Sequence, residues 1–306
     1  MFDSRKSAAS HTGRPPSALE LSPEGALAAA RVSPSNRNDA DSPIIYSFAS
    51  LPAGALVPSL EGANLRLPDA VSDAIRIALG EVSPRSRSVT LVLPDTLVRV
   101  FVLDFDSLPA KPAEAASVVR FRLRKMVPFD VEHAGLSYQV LSKTESECKI
   151  LAAVVPGPIL EEYEAAVRDA GYEPGAVLPS SIAALEALEQ MESVMAANLS
   201  SQSITTSIAN GEDLLLYRTI DLPQEPVQRL SEIQRSIAVA AAYFEDKLGA
   251  RPRRLHYAGT QRRSEFAQFI AIPDLVVVEW VDRPTIGSSI PQTSLAGVAG
   301  ALVGAR

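Results

Sequence analysis

The sequence predicts an internally duplicated α/β fold. Two pairs of short strands, one near the N-terminus and one near residue 200, are each followed by an amphipathic helix and then by a short apolar strand. A repeated order of elements is typical of a duplicated fold. The chain has 306 residues, of which 46% are hydrophobic, and this length fits one unit of two lobes or two domains.

The first half is expected to begin with antiparallel strands. Its strands are expected at residues 18–21, 26–32, 44–48 and 88–93. The first two flank a turn at Ser22-Pro23-Glu24-Gly25, whose residues are typical of tight turns. A helix is expected at 68–79, because Val71, Ile75 and Leu79 recur every four residues behind a proline.

A small α+β unit is expected within the first half, at residues 97–141, with strands at 97–105 and 136–141. The segment between these strands is ambiguous, because VRFRLR alternates with the period of a strand. Helical spacing joins Ala116, Val119, Leu123 and Met126 in the same segment. The preceding Pro112 and the stop before Pro128 favour a helix at 113–126.

After the small α+β unit, a strand is expected at residues 149–155 and helices at 158–170 and 180–191. The second half is expected to repeat the opening order, with strands at 203–208, 214–220, 254–258 and 275–280 and helices at 227–248 and 294–303. A tight connection is expected at 171–174, between the first two of these helices. Asn210-Gly211 predicts a tight hairpin turn, and a polar loop at 198–202 precedes the hairpin.

Composition excludes several classes of function. The formal net charge of −7 argues against a general nucleic-acid-binding protein, because neutralising phosphates needs a basic surface. Cys148 is the single cysteine, so an internal disulfide is impossible and a reducing cytoplasm is expected. The three histidines are far apart and give no metal-ligand spacing. We expect a disordered tail at 1–14 and no segment that spans a membrane.

Three segments carry a family resemblance: LVLPDTLVRVFVLDF (91–105), VVRFRLRKMVPFDVEHAGLSYQVL (118–141) and residues 149–188, with shorter matches that continue to residue 302. In these segments the sequence resembles the PilM family of type IV pilus assembly proteins, which are related to the division protein FtsA. Pro128-Phe129 before an acidic residue is its most specific signature.

The resemblance implies an α/β fold of the actin-like, ribonuclease H-like duplicated type, in two lobes. The first lobe is expected at 15–96 and 142–193, the inserted α+β subdomain at 97–141, and the second lobe at 194–306. It also implies a cytoplasmic scaffold that binds the N-terminal peptide of a PilN-like bitopic membrane protein, alongside other pilus platform or motor proteins. The membrane is then contacted only indirectly, and no nucleic acid is bound.

Actin-like ATPases hold nucleotide between two Asp-x-Gly turns and a Gly-Gly turn. The resemblance places the first turn at Glu20 and Ser22, the second at Asn198 and Ser200, and the third at Gly259. Serine stands at both glycine positions, and Asn198 lacks the charge that organises Mg²⁺. We therefore expect remnant cofactor-binding positions without ATP hydrolysis, although ATP and Mg²⁺ remain possible ligands by resemblance. No catalytic residue and no metal ligand is expected.

The partner peptide is expected in a groove between the first lobe and the inserted subdomain. Its predicted walls are Leu97, Arg99, Phe101, Pro128 and Phe129, which could equally form the core of the subdomain. One alternative is an active Mg-ATPase of pilus assembly. Another is a type II secretion platform protein, which is disfavoured because such chains continue into a transmembrane helix.

The sequence also contains two clusters of basic residues for which it predicts no specific role. The first, at Arg120, Arg122, Arg124 and Lys125, is read as a solvated helix face or as a contact with anionic lipid or an acidic partner. The second lies at residues 251–254 and 262–263 and is read as ordinary loop charge.

Overall fold

The computed structural model describes residues 13–32, 43–84, 86–188, 193–211, 213–282 and 290–303. Most of the predicted N-terminal tail therefore lies outside the described residues. Its last residue, Arg14, differs from the prediction of disorder, since its guanidinium forms an ion pair with Glu186. None of the helices in the described ranges is both long and apolar enough to cross a membrane.

Thirteen strands and seven helices are formed by the described residues. The strands are β1 (Ser17–Ser22), β2 (Gly25–Arg31), β3 (Ile44–Ser50), β4 (Ser88–Leu93), β5 (Arg99–Phe105), β6 (Gly135–Lys143), β7 (Cys148–Val155), β8 (Glu173–Pro179), β9 (Val194–Leu199), β10 (Ser203–Asn210), β11 (Asp213–Asp221), β12 (Arg254–Gly259) and β13 (Val276–Glu279). The helices are α1 (Pro68–Val82), α2 (Pro112–Leu123), α3 (Gly157–Asp169), α4 (Ser180–Leu185), α5 (Pro226–Leu248), α6 (Arg263–Phe269) and α7 (Ala296–Ala301).

The two large sheets have the same topology. One has the strand order β3-β2-β1-β4-β8 and the other has the order β11-β10-β9-β12-β13. In each sheet three antiparallel strands are followed by two strands that run parallel to the first. This shared order is that of the ribonuclease H-like unit, so the predicted duplication is confirmed.

The third sheet, β5-β7-β6, forms the inserted unit together with α2. Its central strand is β7, which the sequence-based boundaries assign to the first lobe, so the predicted boundary at residue 141 is wrong. The physical reason is that the unit needs β7 between its two edge strands. The ambiguous segment is helical, as predicted, because helical spacing buries Val119 and Leu123 against the sheet.

Two further elements differ from the prediction. Residues 173–174, expected as the end of a tight connection at 171–174, belong instead to β8, which lies at the edge of the sheet, where proline is tolerated. The C-terminal helix α7, expected in the second lobe, packs on the first sheet, where Val298 contacts a cluster that contains Ala29. Glycines in α7 permit close contact, since a Cβ at Gly300 would lie 1.9 Å from the carbonyl oxygen of Ala183.

Helix α5 follows directly from its sequence. Its N-cap Glu225 accepts hydrogen bonds from the backbone N–H groups of Val227 and Gln228, and Gly249 ends the helix with a φ of 65°. A stripe including Ile233 and Ile237 is buried against the second sheet. In the predicted hairpin, Gly211 has a φ of 58°, whereas Asn210 belongs to β10 and pairs with Asp213.

Candidate functional site

The candidate site is the cleft between the two lobes, where the β1–β2 turn approaches the β9–β10 turn. The duplicated topology brings these turns together because each follows the central strand of its sheet. The cavity between them has a volume of about 40 Å³. That volume holds a few water molecules, whereas a pocket for a drug-sized ligand needs several hundred Å³. Its lining contains Glu20, Ser22, Asp95, Asn198 and Ser200.

Serine side chains close both turns. The Ser200 hydroxyl accepts hydrogen bonds from the backbone N–H groups of Gln202, at 3.1 Å, and Ser203, at 2.9 Å. The Ser22 hydroxyl accepts the N–H of Gly25 in the first turn, at 3.3 Å. In a phosphate-binding turn such N–H groups point at the anion. Here the hydroxyl oxygens of Ser22 and Ser200 accept hydrogen bonds from these N–H groups, so the donors are already satisfied within each turn.

An arginine holds the second turn from outside. Arg229 of α5 donates to the carbonyl oxygens of Ser201, at 2.8 Å, and Ser200, at 3.0 Å. Desolvation by burial lowers the pKa of Arg229. The guanidinium contacts the backbone behind the turn, so it anchors the turn to α5.

Glu20 keeps a carboxyl group at the floor of the cleft. Its Oε2 atom is buried and has no hydrogen-bond partner among the described residues. Burial, followed by the negative charges of Asp95 and Glu24, raises the pKa of Glu20 to about 8, although a hydrogen bond to Ser180 opposes this shift. Glu20 is therefore mostly protonated at neutral pH. A neutral carboxyl group is a poor partner for Mg²⁺, which binds ionised oxygen ligands.

Asn198 lies in strand β9 and not in a loop, which corrects the predicted position of this residue. The hairpin loop begins only at Ser200, because residues 194–199 pair with β10 and β12. The Asn198 side chain is buried, and its amide donates to the hydroxyl oxygens of Ser180, at 3.2 Å, and Ser181, at 3.1 Å. The amide thus joins the second sheet to α4.

Asp95 is the centre of a buried network that sequence reasoning missed. Its Oδ1 accepts hydrogen bonds from the Ser181 N–H at 2.9 Å and from the Tyr217 hydroxyl at 3.0 Å. Its Oδ2 accepts from the Thr205 hydroxyl at 2.8 Å and from the Ser181 hydroxyl. Burial raises the pKa of Asp95, and these hydrogen bonds oppose the shift.

The Asp95 network connects the two lobes directly. Asp95 follows β4 of the first sheet, whereas Thr205 and Tyr217 belong to β10 and β11 of the second sheet. The sequence signal was a lone acidic residue at the carboxyl end of a buried strand, where ligand-binding residues of α/β sheets collect. In the segment LVLPDT (91–96), however, a proline followed by an aspartate also looks like an ordinary turn after a strand.

Gly259, the third predicted position, ends strand β12. A Cβ there would lie 2.8 Å from the Cβ of Leu199 and 2.6 Å from the hydroxyl of Tyr257. The carbonyl oxygen of Gly259 accepts a hydrogen bond from Gln292 at 3.3 Å. Close packing against β9 therefore explains this glycine without a ligand.

The residues predicted to line a peptide groove occupy different environments. Leu97 is fully buried in the core of the first lobe, in a 3₁₀ turn at Asp95–Leu97, so its prediction as a groove wall is wrong. Phe101 and Phe129 are half-buried and pack on the core of the inserted unit. Pro128 is exposed, and half-buried Arg99 donates to the carbonyl oxygen of Thr96 at 3.0 Å.

Other reactive groups give no site. Cys148 is buried in the core of the inserted unit. Desolvation, followed by the charge of Arg254, lowers the pKa of His256. Within the described ranges, no group of three or more His, Cys, Asp or Glu side chains could hold a metal ion.

Comparisons with known proteins place the fold. No known protein family and no curated protein matches the sequence. The structure is similar to a PilM-PilN type IV pilus biogenesis complex, with 18% identity and a TM-score of 0.67 over 95% of this chain and 98% of the other. It is also similar to the cytoplasmic domain of EpsL, an inner membrane component of the type II secretion system of Vibrio cholerae, with 14% identity and a TM-score of 0.51 over 94% and 92%.

A third similar structure is a protein of unknown function with an actin-like ATPase fold from Bacteroides thetaiotaomicron, with 12% identity and a TM-score of 0.47 over 87% of this chain and 91% of the other. The predicted duplicated fold is confirmed by the two equivalent sheets and by the similarity to the structure of the PilM-PilN complex. The resemblance to PilM is confirmed at the level of the fold.

Proposed function

We propose that this chain is a cytoplasmic scaffold of the type IV pilus inner-membrane platform, which binds the N-terminal peptide of a PilN-like membrane protein and does not hydrolyse ATP. The observation that carries the proposal is the similarity over 95% of the chain, inserted unit included, to a PilM-PilN complex. The same likeness favours association with further pilus platform or motor proteins. The partner's membrane anchor would hold the scaffold at the inner membrane.

The peptide site is proposed beside the inserted unit. Phe101 and Phe129 retain exposed area where they pack on the core of the inserted unit, Pro128 precedes Phe129 in the chain, and Arg99 lies in the same strand as Phe101. Apolar pockets beside backbone hydrogen-bonding groups are typical of grooves that bind extended peptides. Leu97 is excluded from this site because it is fully buried.

Three features of the cleft support the absence of ATP hydrolysis. The turn donors are satisfied by Ser200, the buried carboxyl of Glu20 has a pKa raised to about 8, and Asp95 joins the lobes across the cleft. Opening a nucleotide pocket would require these internal hydrogen bonds to break. Titration calorimetry with ATP and Mg²⁺ tests this point, since micromolar binding and turnover abolished by Glu20→Gln would support the alternative of an active Mg-ATPase.

Calorimetry with the N-terminal peptide of the neighbouring bitopic membrane protein tests the scaffold. We expect binding that Arg99→Glu weakens about tenfold, because the charge of a groove residue is reversed. The matched control is Arg235→Glu, which makes the same change at an exposed site on α5. Absence of binding at about 100 μM peptide, an affinity near −5.5 kcal/mol, would contradict the proposal.

A platform protein of type II secretion is the second candidate, favoured by the likeness to the EpsL cytoplasmic domain. Gene deletion separates the two candidates. Loss of surface pili with intact protein secretion supports the pilus platform. Loss of secretion with intact pili supports the alternative.

A further inference from the structure

The outer face of α2 carries exposed apolar side chains. The exposed fractions are 71% for Phe121 and 37% for Val118 in α2, and 41% for Met126 in the turn that follows the helix. Val118 and Phe121 are three residues apart, so they are neighbours on one helix face. Single exposed apolar residues are common, but three within nine residues form a patch that calls for a partner.

This face points away from the rest of the molecule. The opposite side of α2 packs on the inserted sheet through Val119 and Leu123, and Ala115 on the same side is buried. The other face of that sheet packs on the first-lobe core, through residues that include Val100 and Ala153. The order of layers is therefore first lobe, sheet, α2 and solvent, and α2 is accessible to a broad flat surface.

Cationic side chains surround the apolar patch. The segment from Lys111 to Met126 contains five basic residues and one acidic residue, in a chain whose net charge is −7. Exposed Arg122 lies four positions after Val118, on the same side of the helix, and exposed Lys125 lies in the turn directly after α2. The Arg124 guanidinium lies over the Phe121 ring, 5.7 Å from its centroid.

The cations of this segment have different roles. Arg120 donates to the carbonyl oxygens of Val131 and Ala134, so it holds the loop after α2. Arg124 forms an ion pair with Glu132 while it covers Phe121. The outward-facing positive charge is therefore carried mainly by Arg122 and Lys125.

We propose that this surface, made of Val118, Phe121, Arg122, Lys125 and Met126 and named here the α2 face, binds an anionic lipid bilayer directly. Basic side chains near a bilayer are attracted by anionic headgroups, and exposed aromatic and aliphatic side chains enter the interface between headgroups and acyl chains. Charge complementarity selects an anionic membrane over a neutral one. This contact is additional to any peptide bound beside the inserted unit and replaces the expectation that the membrane is contacted only indirectly.

Flotation of the full chain with lipid vesicles tests the inference. We expect binding to vesicles of phosphatidylcholine with 30 mol% phosphatidylglycerol, about the proportion that gives a strongly anionic surface, and little binding to pure phosphatidylcholine. Bound protein should fall steeply at about 0.5 M NaCl, where the Debye length is only about 4 Å. Equal binding to both vesicle types, or no binding to the anionic vesicles, would overturn the proposal.

Variants locate the surface. Arg122→Glu with Lys125→Glu should weaken binding about 30-fold or more, since each cation near an anionic surface contributes about 1 kcal/mol. Arg235→Glu with Arg253→Glu changes the net charge equally at exposed sites elsewhere and should leave most binding intact. Phe121→Ser should also reduce binding, whereas Val227→Ser, at a side chain 74% exposed on α5, should not.

Two controls make the result unambiguous. Circular dichroism of each variant should match that of the unmodified chain, because the substituted side chains are exposed. If the α2-face variants bind vesicles normally but lose the membrane-protein peptide, the surface belongs to that peptide and the lipid proposal is refuted. If they lose the vesicles and keep the peptide, direct lipid binding is supported independently of the proposed function.

Discussion

The raised pKa of Glu20 should make the free energy of unfolding depend on pH. The substitution Glu20→Gln removes the titrating carboxyl group and so measures its contribution. Its carboxyl group titrates near 4.5 in the unfolded chain and near 8 in the folded chain. Between these values the unfolded state loses its proton first. Ionisation therefore favours unfolding, and the free energy of unfolding falls as the pH rises from about 4.5 to 8 and then levels off.

The magnitude follows from the pKa difference. One proton changes the free energy of unfolding by at most about 1.4 kcal/mol per pH unit, which gives an upper bound of about 5 kcal/mol over the whole range. Partial exposure of Glu20 reduces this value, and we expect about 2 to 5 kcal/mol. Glu20→Gln removes the titration, so the variant should gain stability relative to the unmodified chain as the pH rises.

Urea denaturation at pH 5, 6, 7, 8 and 9 measures this difference for the unmodified chain and for Glu20→Gln. Glu24→Gln is the matched control, because it makes the same change at an exposed position in the adjoining turn. If the free energies of unfolding of the two proteins differ by the same amount from pH 5 to pH 8, the reasoning is refuted. Such a constant difference would reflect only the different packing of an amide and a carboxyl group.

Three further predictions concern the cleft and the helix packing. Asp95→Ala should destabilise the fold by about 3 kcal/mol in urea, because the buried Tyr217 hydroxyl and three other donors lose their acceptor, and a loss below about 1 kcal/mol would contradict the network. Gly300→Ala should lower stability by about 1 to 3 kcal/mol, because the added methyl group clashes with Ala183. Gly80→Ala in α1 has open space around it and should raise stability by up to about 1 kcal/mol. A stability change of the same sign in both variants would contradict the packing described for α7. Ser200→Ala should cost about 1 to 2 kcal/mol in the same assay, because two turn N–H groups lose their acceptor, and unchanged stability would show that water replaces the hydroxyl.

Sequence patterns predicted the elements of this fold better than their assembly. Helices such as α5 carry a cap, a stripe and a terminal glycine in the sequence itself. Strand β8 was missed because Pro174, Gly175 and Pro179 are typical of turns, and only its edge position makes them acceptable. Strand β7 was assigned to the wrong unit, because its apolar residues do not reveal which sheet they join.

The candidate site was predicted only in part. Glu20, Asn198 and Ser200 were placed at the cleft, and they do line it. Asp95 was missed because its partners Thr205 and Tyr217 lie more than 100 residues away, and such contacts leave no local pattern. Leu97 was misplaced because it was expected to begin the strand at 97–105, whereas a 3₁₀ turn at Asp95–Leu97 directs this side chain into the core.

The Asp95 hydrogen bonds have a consequence for how this molecule responds to its surroundings. Two lobes that are joined by a bound ligand change their relative population of open and closed states as the ligand concentration varies. Here Thr205 and Tyr217 of the second sheet supply the equivalent contacts to Asp95 from within the chain. These hydrogen bonds favour one relative orientation of the lobes, because separating the lobes would leave the buried Asp95 carboxyl without these two donors.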